Sequence, residues 1–509
     1  MSFMKKIRCV SAALILLAAV PAVWAAPSPS ALASSAIAES TWAAVGIRDI
    51  KALCDPSGLL AQYLKMRQST ELLEKNSSFL KDLDIHVGMN SKCEPTTVAF
   101  AGELLRDLDG SPTSLDLTSA DFQLNAPAGS VLTPLGSLFV EECGTIYLAK
   151  LDRDGRSYVL GAVGSAGLLN KMAAAPDREP EGEGRVLANI WSRFHLSQET
   201  MAEEDIHVAV PVQIEVGVQD TSSSSLRVML WSNVRELMAS STEKKFAALL
   251  NDDMPAQLPL LMGSGDLLAV FNMAAPFIPE KLTPEEVMPD EESPGNLSEL
   301  IQSCQSLGIG WQDLLSILRN NITLGLAGKM TTAAGEFPGL YLHLAGAKGE
   351  AAASIAGVVA SSASSELDAA LEPFSQEKWT GYRSAMPVPA FVASGPEGLI
   401  LGAMDLDQLG LKPSVDPRIA GVAEAPQSCA LAVNNRALLA VLKKLEAAYG
   451  ALFYAQNAEL KPIMDQAFAV MDVIDAATLS FKDGFKDAGT VTLELFFDVP
   501  KLRALALEE

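Results

Sequence analysis

The side chains best suited to catalysis or metal binding are spread thinly along this chain. Its four histidines are His86, His195, His207 and His343, and none lies within five positions of another. A metal site on one helix needs two histidines three to five residues apart, as in HExxH, and that motif is absent. His207 and His343 fall in strand-like segments, where an imidazole is more often a satisfied core group than a ligand. We therefore predict no metal site.

Serine and lysine recur at a spacing that some exported hydrolases use. On a helix, SxxK places the lysine amine one turn from the serine hydroxyl, where it could act as a base. The three matches are Ser78 to Lys81, Ser241 to Lys244 and Ser375 to Lys378. The KTG and SDN elements of the penicillin-recognising enzymes are absent, and no GxSxG elbow occurs. A serine hydrolase is therefore the least favoured of three functional hypotheses.

Other chemical motifs are incomplete. The glycine pairs at 263–265 and 308–310 lack the third glycine of a dinucleotide loop, and no Walker lysine follows them. The acidic turns at 107–110 and 152–155 lack the remaining ligands of a calcium loop. Six tryptophans and seven tyrosines are few for a sugar-binding groove. We therefore assign no catalytic, cofactor-binding or metal-binding residue, and we expect no cofactor.

The elements that would position any site are short strands and amphipathic helices. Trp311, Leu314, Leu315 and Leu318 recur at helical spacing. Two hairpins are predicted, one around Gly395-Pro396-Glu397-Gly398 and one around Arg153-Asp154-Gly155, because apolar runs flank each turn. Hairpins favour antiparallel sheets. The predicted class is α+β, with two tandem related domains and helices packed on one face of each sheet.

Similar apolar segments recur along the chain. Ala44–Ile47 resembles Leu268–Asn272, and Thr97–Gly102 resembles Thr323–Gly328, each about 225 positions later. Residues 228–234 resemble residues 493–499, 265 positions later, which indicates that the second copy is longer. The nearly constant offset of the first two matches indicates a tandem duplication. The second copy shows a further internal repeat, in which each half reads strand, helical stretch, strand, strand, helix.

The segments Ala269–Asn272, Thr323–Leu326 and Leu399–Gly402 resemble those of exported bacterial proteins of unknown function that are built from tandem α/β repeats. The resemblance extends from Thr41 to the C-terminus. It rests on hydrophobic pattern, so it implies an architecture and brings no functional residues.

The N-terminus has the pattern of a secretory signal peptide. Lys5, Lys6 and Arg8 precede an apolar run that ends at small residues near Ala25. We predict a signal peptide over 1–25, a flexible leader over 26–40, a first α+β domain over 41–250 and a longer second one over 260–509. A polar, proline-containing stretch at 251–259 separates the domains, and an acidic insert occupies 283–298. After signal cleavage we expect no transmembrane segment.

Export would allow disulfides, and five cysteines follow the signal peptide: Cys54, Cys93, Cys143, Cys304 and Cys429. Their wide spacing excludes a CxxC pair. Bridges Cys54–Cys93 and Cys304–Cys429 are one alternative, and buried free thiols are the other.

The charge balance limits the classes of partner. A net charge of −24 repels nucleic acid and anionic lipid headgroups. The leading hypothesis is a periplasmic or extracellular protein of the cell envelope, without catalytic activity, that binds a protein or another envelope component or supports assembly. The second is a carrier of lipid or another apolar ligand.

Overall fold

The computed structural model describes residues 29–38, 41–48, 59, 80–92, 94–104, 122–141, 144–175, 189–196, 212–232, 258–276, 278–283, 305, 308–366, 371–384, 388–426, 428–456, 459–481 and 489–507. The chain divides into two compact units, Met1–Asn233 and Val234–Glu509. The predicted signal peptide at 1–25 lies outside the described residues. So do almost all of the predicted acidic insert at 283–298 and most of the stretch at 251–259.

The described strands of the first unit number nine, with two described helices. The strands are β1 (Ala43–Ile47), β2 (Leu80–Met89), β3 (Pro95–Leu104), β4 (Ser130–Val140), β5 (Gly144–Arg153), β6 (Arg156–Val163), β7 (Ile190–Leu196), β8 (Val212–Ser222) and β9 (Ser225–Ser232). The helices are α1 (Pro29–Ser35) and α2 (Gly167–Ala173). The strands pair in the order β4-β5-β6-β3-β2-β1-β7-β8-β9.

The second unit has ten described strands and six described α-helices. The strands are β10 (Ala269–Met273), β11 (Ile322–Thr332), β12 (Gly335–Leu344), β13 (Leu371–Gln376), β14 (Trp379–Ser384), β15 (Phe391–Gly395), β16 (Gly398–Ala403), β17 (Cys429–Val433), β18 (Ile474–Phe481) and β19 (Gly489–Phe497). The helices are α3 (Trp311–Arg319), α4 (Gly349–Glu366), α5 (Pro417–Ala423), α6 (Asn435–Gln456), α7 (Leu460–Met471) and α8 (Val499–Leu507), with a 3₁₀ turn at Leu406–Gln408. The strand order is β13-β14-β15-β16-β12-β11-β10-β17-β18-β19.

Antiparallel strands dominate the structure, which is 47% strand and 26% helix. The predicted α+β pair of domains, with helices packed on one face of each sheet, is therefore wrong. The predicted hairpins β5–β6 and β15–β16 and the predicted helix α3 are confirmed. The structure has more long strands than the hairpin signals predict. Strand β8, for example, alternates apolar and polar or small residues over Val212–Gln219, which is the pattern of a strand with one solvated face and which the α+β prediction omits.

The two units have the same strand order around their first strand. β1 lies between β2 and β7, as β10 lies between β11 and β17. The match of Ala44–Ile47 to Leu268–Asn272 therefore joins equivalent strands. The match of Thr97–Gly102 to Thr323–Gly328 is wrong by one strand, since it pairs β3 with β11. Neighbouring strands carry similar apolar patterns, so the sequence alone does not show which strand of one unit corresponds to which strand of the other.

Part of the predicted flexible leader is ordered. Residues 29–35 form α1, and Leu32 and Ala33 are fully buried against the sheet of the first unit. The small side chains that suggested a flexible segment instead let this short helix approach β2 and β3 closely.

Candidate binding surface

The sheet of the second unit has one well-covered face. Tyr341 of β12 lies on it, and the Tyr341 hydroxyl donates to the Leu260 carbonyl at 2.9 Å while accepting from the Met262 amide at 3.1 Å. The segment around Leu260 is thereby held over the sheet. Helix α5 covers neighbouring strands through Ile419 and Ala423.

Polar side chains on this covered face form a buried row. Thr323 Oγ1 donates to Asn272 Oδ1 at 3.0 Å, and Asn272 Nδ2 donates to Asn321 Oδ1 at 3.4 Å. Thr323 also lies directly opposite His343, whose Nε2 donates to the Glu397 carbonyl at 2.9 Å. Burial lowers the pKa of His343 below its usual value, so the imidazole is neutral.

The opposite face carries a continuous line of apolar side chains, which we call the apolar row. Its members lie directly opposite one another on eight consecutive strands. In sheet order they are Val392, Leu401, Leu342, Leu324, Phe271, Leu431, Leu479 and Leu493.

On the seven strands from β16 to β19, the rows on either side of the apolar row contain no polar side chain other than the weakly polar Cys429 thiol, and on β15 Ser394 lies opposite Leu399. One contains Ala403, Leu340, Leu326, Ala269, Val433, Ala477 and Leu495; the other contains Leu399, Leu344, Ile322, Met273, Cys429, Phe481 and Val491. An antiparallel sheet that faces water on one side normally places polar residues there. This face lacks them, which is typical of a surface that is covered.

Within the described part of the second unit, helices α3 and α4 cover the β15–β16 end of this face. Val392 and Leu399 are buried among Leu314 and Ile317 of α3 and Ala352 of α4. From β12 onward several side chains become accessible. Their exposed fractions are 45% for Leu340, 42% for Leu324, 40% for Met273 and 37% for both Leu431 and Leu479. These five residues, with half-buried Phe271 between them, form what we call the open apolar face.

One cysteine lies on this surface. Cys429 is directly opposite Met273, is half-buried, and has a free thiol whose pKa burial raises. The alternative of a Cys304–Cys429 bridge is therefore wrong. Cys54, Cys93, Cys143 and Cys304 lie outside the described residues.

The serine–lysine pair at Ser375 and Lys378 does not form the arrangement that catalysis requires. Ser375 lies on β13 and Lys378 in the turn that follows, so a hairpin replaces the expected helix. The Lys378 ammonium instead pairs with the Glu397 carboxylate. Of the other two pairs, Ser78, Ser241 and Lys244 lie outside the described residues, and Lys81 is described only as part of β2.

The histidines do not come together among the described residues. His86 is buried in the first unit, with its ring edge-on to Trp191 at 5.0 Å, and His195 lies on β7. His207 lies outside the described part of the chain. No group of three His, Cys, Asp or Glu side chains able to hold a metal occurs among the residues that were described.

A cavity of about 290 Å³ opens beside Trp379 in the second unit. Its charged residues are already paired, Lys378 with Glu397 and Lys412 with Glu424. It is also at the small end of the range for ligand pockets. The open apolar face is therefore the stronger candidate, and its cross-strand continuity could not be seen without the pairing of the strands.

Comparison with protein-family models, curated proteins and solved structures finds no match to this chain. Among the described helices, none is both long and apolar enough to span a membrane.

Proposed function

We propose that this protein is an exported binding protein without catalytic activity, and that the open apolar face is its binding surface. The observation that carries the proposal is the accessible part of three adjacent rows that contain only apolar side chains. Leaving such side chains in water forfeits about 25 cal/mol for each Å² that could be buried. A partner that covers Leu324, Leu431 and Leu479 would recover that free energy.

The size of the face supports this role. Five strands about 4.8 Å apart, with ladders of about five residues at 3.4 Å each, span roughly 300 Å². Exposed apolar patches of about 300–600 Å² are the largest on typical monomers and are often functional. Export is proposed from the charged and apolar segments of residues 1–25.

Cys429 offers a direct test because it lies on the face. The rate of its modification by N-ethylmaleimide would be measured by peptide mass spectrometry, in the purified protein and in the protein held in a cell-envelope extract of its host. We expect the extract to slow the reaction severalfold. An L431S/L479S variant should lose this protection.

A control cysteine distinguishes a partner bound at the open apolar face from a general slowing of thiol modification in the extract. The I463C variant places a thiol at an exposed position on α7. That thiol should react equally fast in both samples. Equal rates at Cys429 in the purified protein and the extract would refute the proposal.

A carrier of an apolar ligand is the second candidate. The three rows contain no hydrogen-bonding side chain other than the weakly polar Cys429 thiol, which suits a hydrocarbon chain. Native mass spectrometry of gently purified protein would show the added mass of a bound lipid. A ligand-free mass in every preparation would count against this candidate.

A further inference from the structure

We propose that the partner covers the open apolar face with an amphipathic α-helix that is aliphatic on its inner side and basic on its outer side. This inference rests on the proposed function and names the partner's chemistry. It follows from what already covers the other end of the same face, from the dimensions of the open part and from the charge of the chain.

The covered end of the apolar row shows what fits it. Val392 lies at that end and packs with Leu314 and Ile317 of α3 and with Ala356 of α4. The row continues without a polar side chain to Leu324 and beyond. The open strands present the same kind of apolar side chains in the same antiparallel pairing as the covered strands. An amphipathic helix similar to α3 and α4 would therefore extend the existing helical layer across the open strands.

The dimensions favour a helix over a second copy of the chain. The open strands are about 19 Å wide at a spacing of about 4.8 Å, and a helix is about 10 Å across. The paired part of each open strand is about 17 Å long, so a helix lying along the strands would contact them over roughly 11 residues at a rise of 1.5 Å per residue. A standard dimer interface needs about 800 Å² from each partner. The open face offers less than half of that area.

The net charge of this chain indicates which residues the outer side of the partner helix should carry. The chain carries a net charge of −24, whereas the three rows of the face carry none. A partner therefore gains from aliphatic residues against the sheet and from Lys or Arg on its remaining surface, because the net negative charge of this chain attracts a basic partner. An acidic helix with the same aliphatic side would be repelled.

Three synthetic 16-residue peptides would test this with the full-length mature protein. The first is helical with leucines on one side and lysines on the other, the second is the same composition in scrambled order, and the third has glutamate in place of lysine. Binding would be followed by fluorescence anisotropy at physiological salt. We expect the first to bind at least about tenfold more tightly than the other two, or about 1.4 kcal/mol.

Two variants of the protein test whether the peptide binds at the open apolar face. L431S/L479S should weaken the first peptide at least about tenfold, while I463S, an exposed apolar position on α7, should leave binding unchanged. The free energy of unfolding of L431S/L479S would be measured in parallel to show that it is folded. Equal binding of the scrambled peptide, or unchanged binding to L431S/L479S, would overturn the inference.

Other occupants give distinct results. If the envelope extract protects Cys429 but the helical peptide does not bind, the proposed function stands and the helix inference falls. Binding of palmitate at the face in native mass spectra, without peptide binding, would also overturn the helix inference. So would protection of Cys429 by concentration-dependent dimerisation of the purified protein.

Discussion

Phe271 and Leu431 lie directly opposite each other in the ladder that joins β10 to β17, and both point to the open apolar face. This pair joins the meander β10–β11–β12 to the meander β17–β18–β19 within the ten-stranded sheet of the second unit. Each of the two strands has a neighbour on both sides, and interior strands of a sheet are normally well covered, yet Leu431 is 37% exposed. Apolar residues of this face are therefore exposed on interior strands, where a sheet usually has its core.

The open face should contribute little to the stability of the isolated protein. Leu479→Ser is expected to change the free energy of unfolding by less than about 1 kcal/mol, because the side chain is already partly in water. Leu399→Ala, at the fully buried end of the same face, should cost about 2–5 kcal/mol. Urea unfolding would measure both. A loss above about 2 kcal/mol in L479S would mean that the isolated protein itself covers this position.

Acid should weaken the second unit through His343. Burial lowers the pKa of this imidazole below 6.5, so the unfolded chain binds the proton more readily than the folded one. Stability therefore rises with pH between the folded-state pKa and 6.5, by up to about 1.4 kcal/mol per unit. His343→Gln should remove this slope when urea midpoints are compared between pH 5 and 7.5. An identical slope in both proteins would contradict the assignment.

Tyr341 ties the segment 258–262 to the sheet. Tyr341→Phe leaves the Met262 amide and the Leu260 carbonyl without their bridge, so we expect a loss of about 1–3 kcal/mol in the free energy of unfolding. Burial raises the pKa of Tyr341 to about 12, so the hydroxyl remains protonated across the physiological range. Tyr382→Phe, at an exposed position on β14, is the control and should change stability by less than about 0.5 kcal/mol. Equal effects of the two variants would refute the bridging role.

Arg418 joins two carboxylates beside α5. Its guanidinium lies 2.8 Å from Asp416 and 2.6 Å from Asp475. Hydrogen bonds from Arg418 hold the pKa of Asp416 below its usual 3.8. The stabilisation is therefore fully present above pH 3.8 and is lost as pH falls through the lower folded-state pKa.

The corresponding variant is Arg418→Gln. It should lower the free energy of unfolding near pH 7 by about 1–2 kcal/mol, since these pairs are partly solvated. The difference from the wild type should shrink at acid pH, where Asp416 becomes protonated. Chemical unfolding between pH 7 and 2.5 would measure it, and a constant difference across that range would refute the ion-pair explanation.

Leu32 tests whether α1 belongs to the first unit. Its side chain is fully buried on the sheet, so Leu32→Ala should cost about 2–5 kcal/mol of that unit's stability. Ala38→Ser, an exposed change at the end of the same segment, should have little effect. Hydrogen exchange of β2 and β3 would report the loss. Unchanged protection in L32A would show that the segment is dispensable.

The sequence by itself determined the local elements whose signals lie within a few residues. The turn at Gly395–Gly398 predicted a hairpin, and the stripe from Trp311 to Leu318 predicted a helix, because turn chemistry and periodicity are local properties. It also excluded contiguous metal and nucleotide motifs. Only the tertiary structure decided that Phe271, Leu324, Leu431 and Leu479 form one surface, since more than 200 positions separate the ends of that set. Strand pairing brings them together, and pairing depends on the register of the whole sheet, which no short segment encodes.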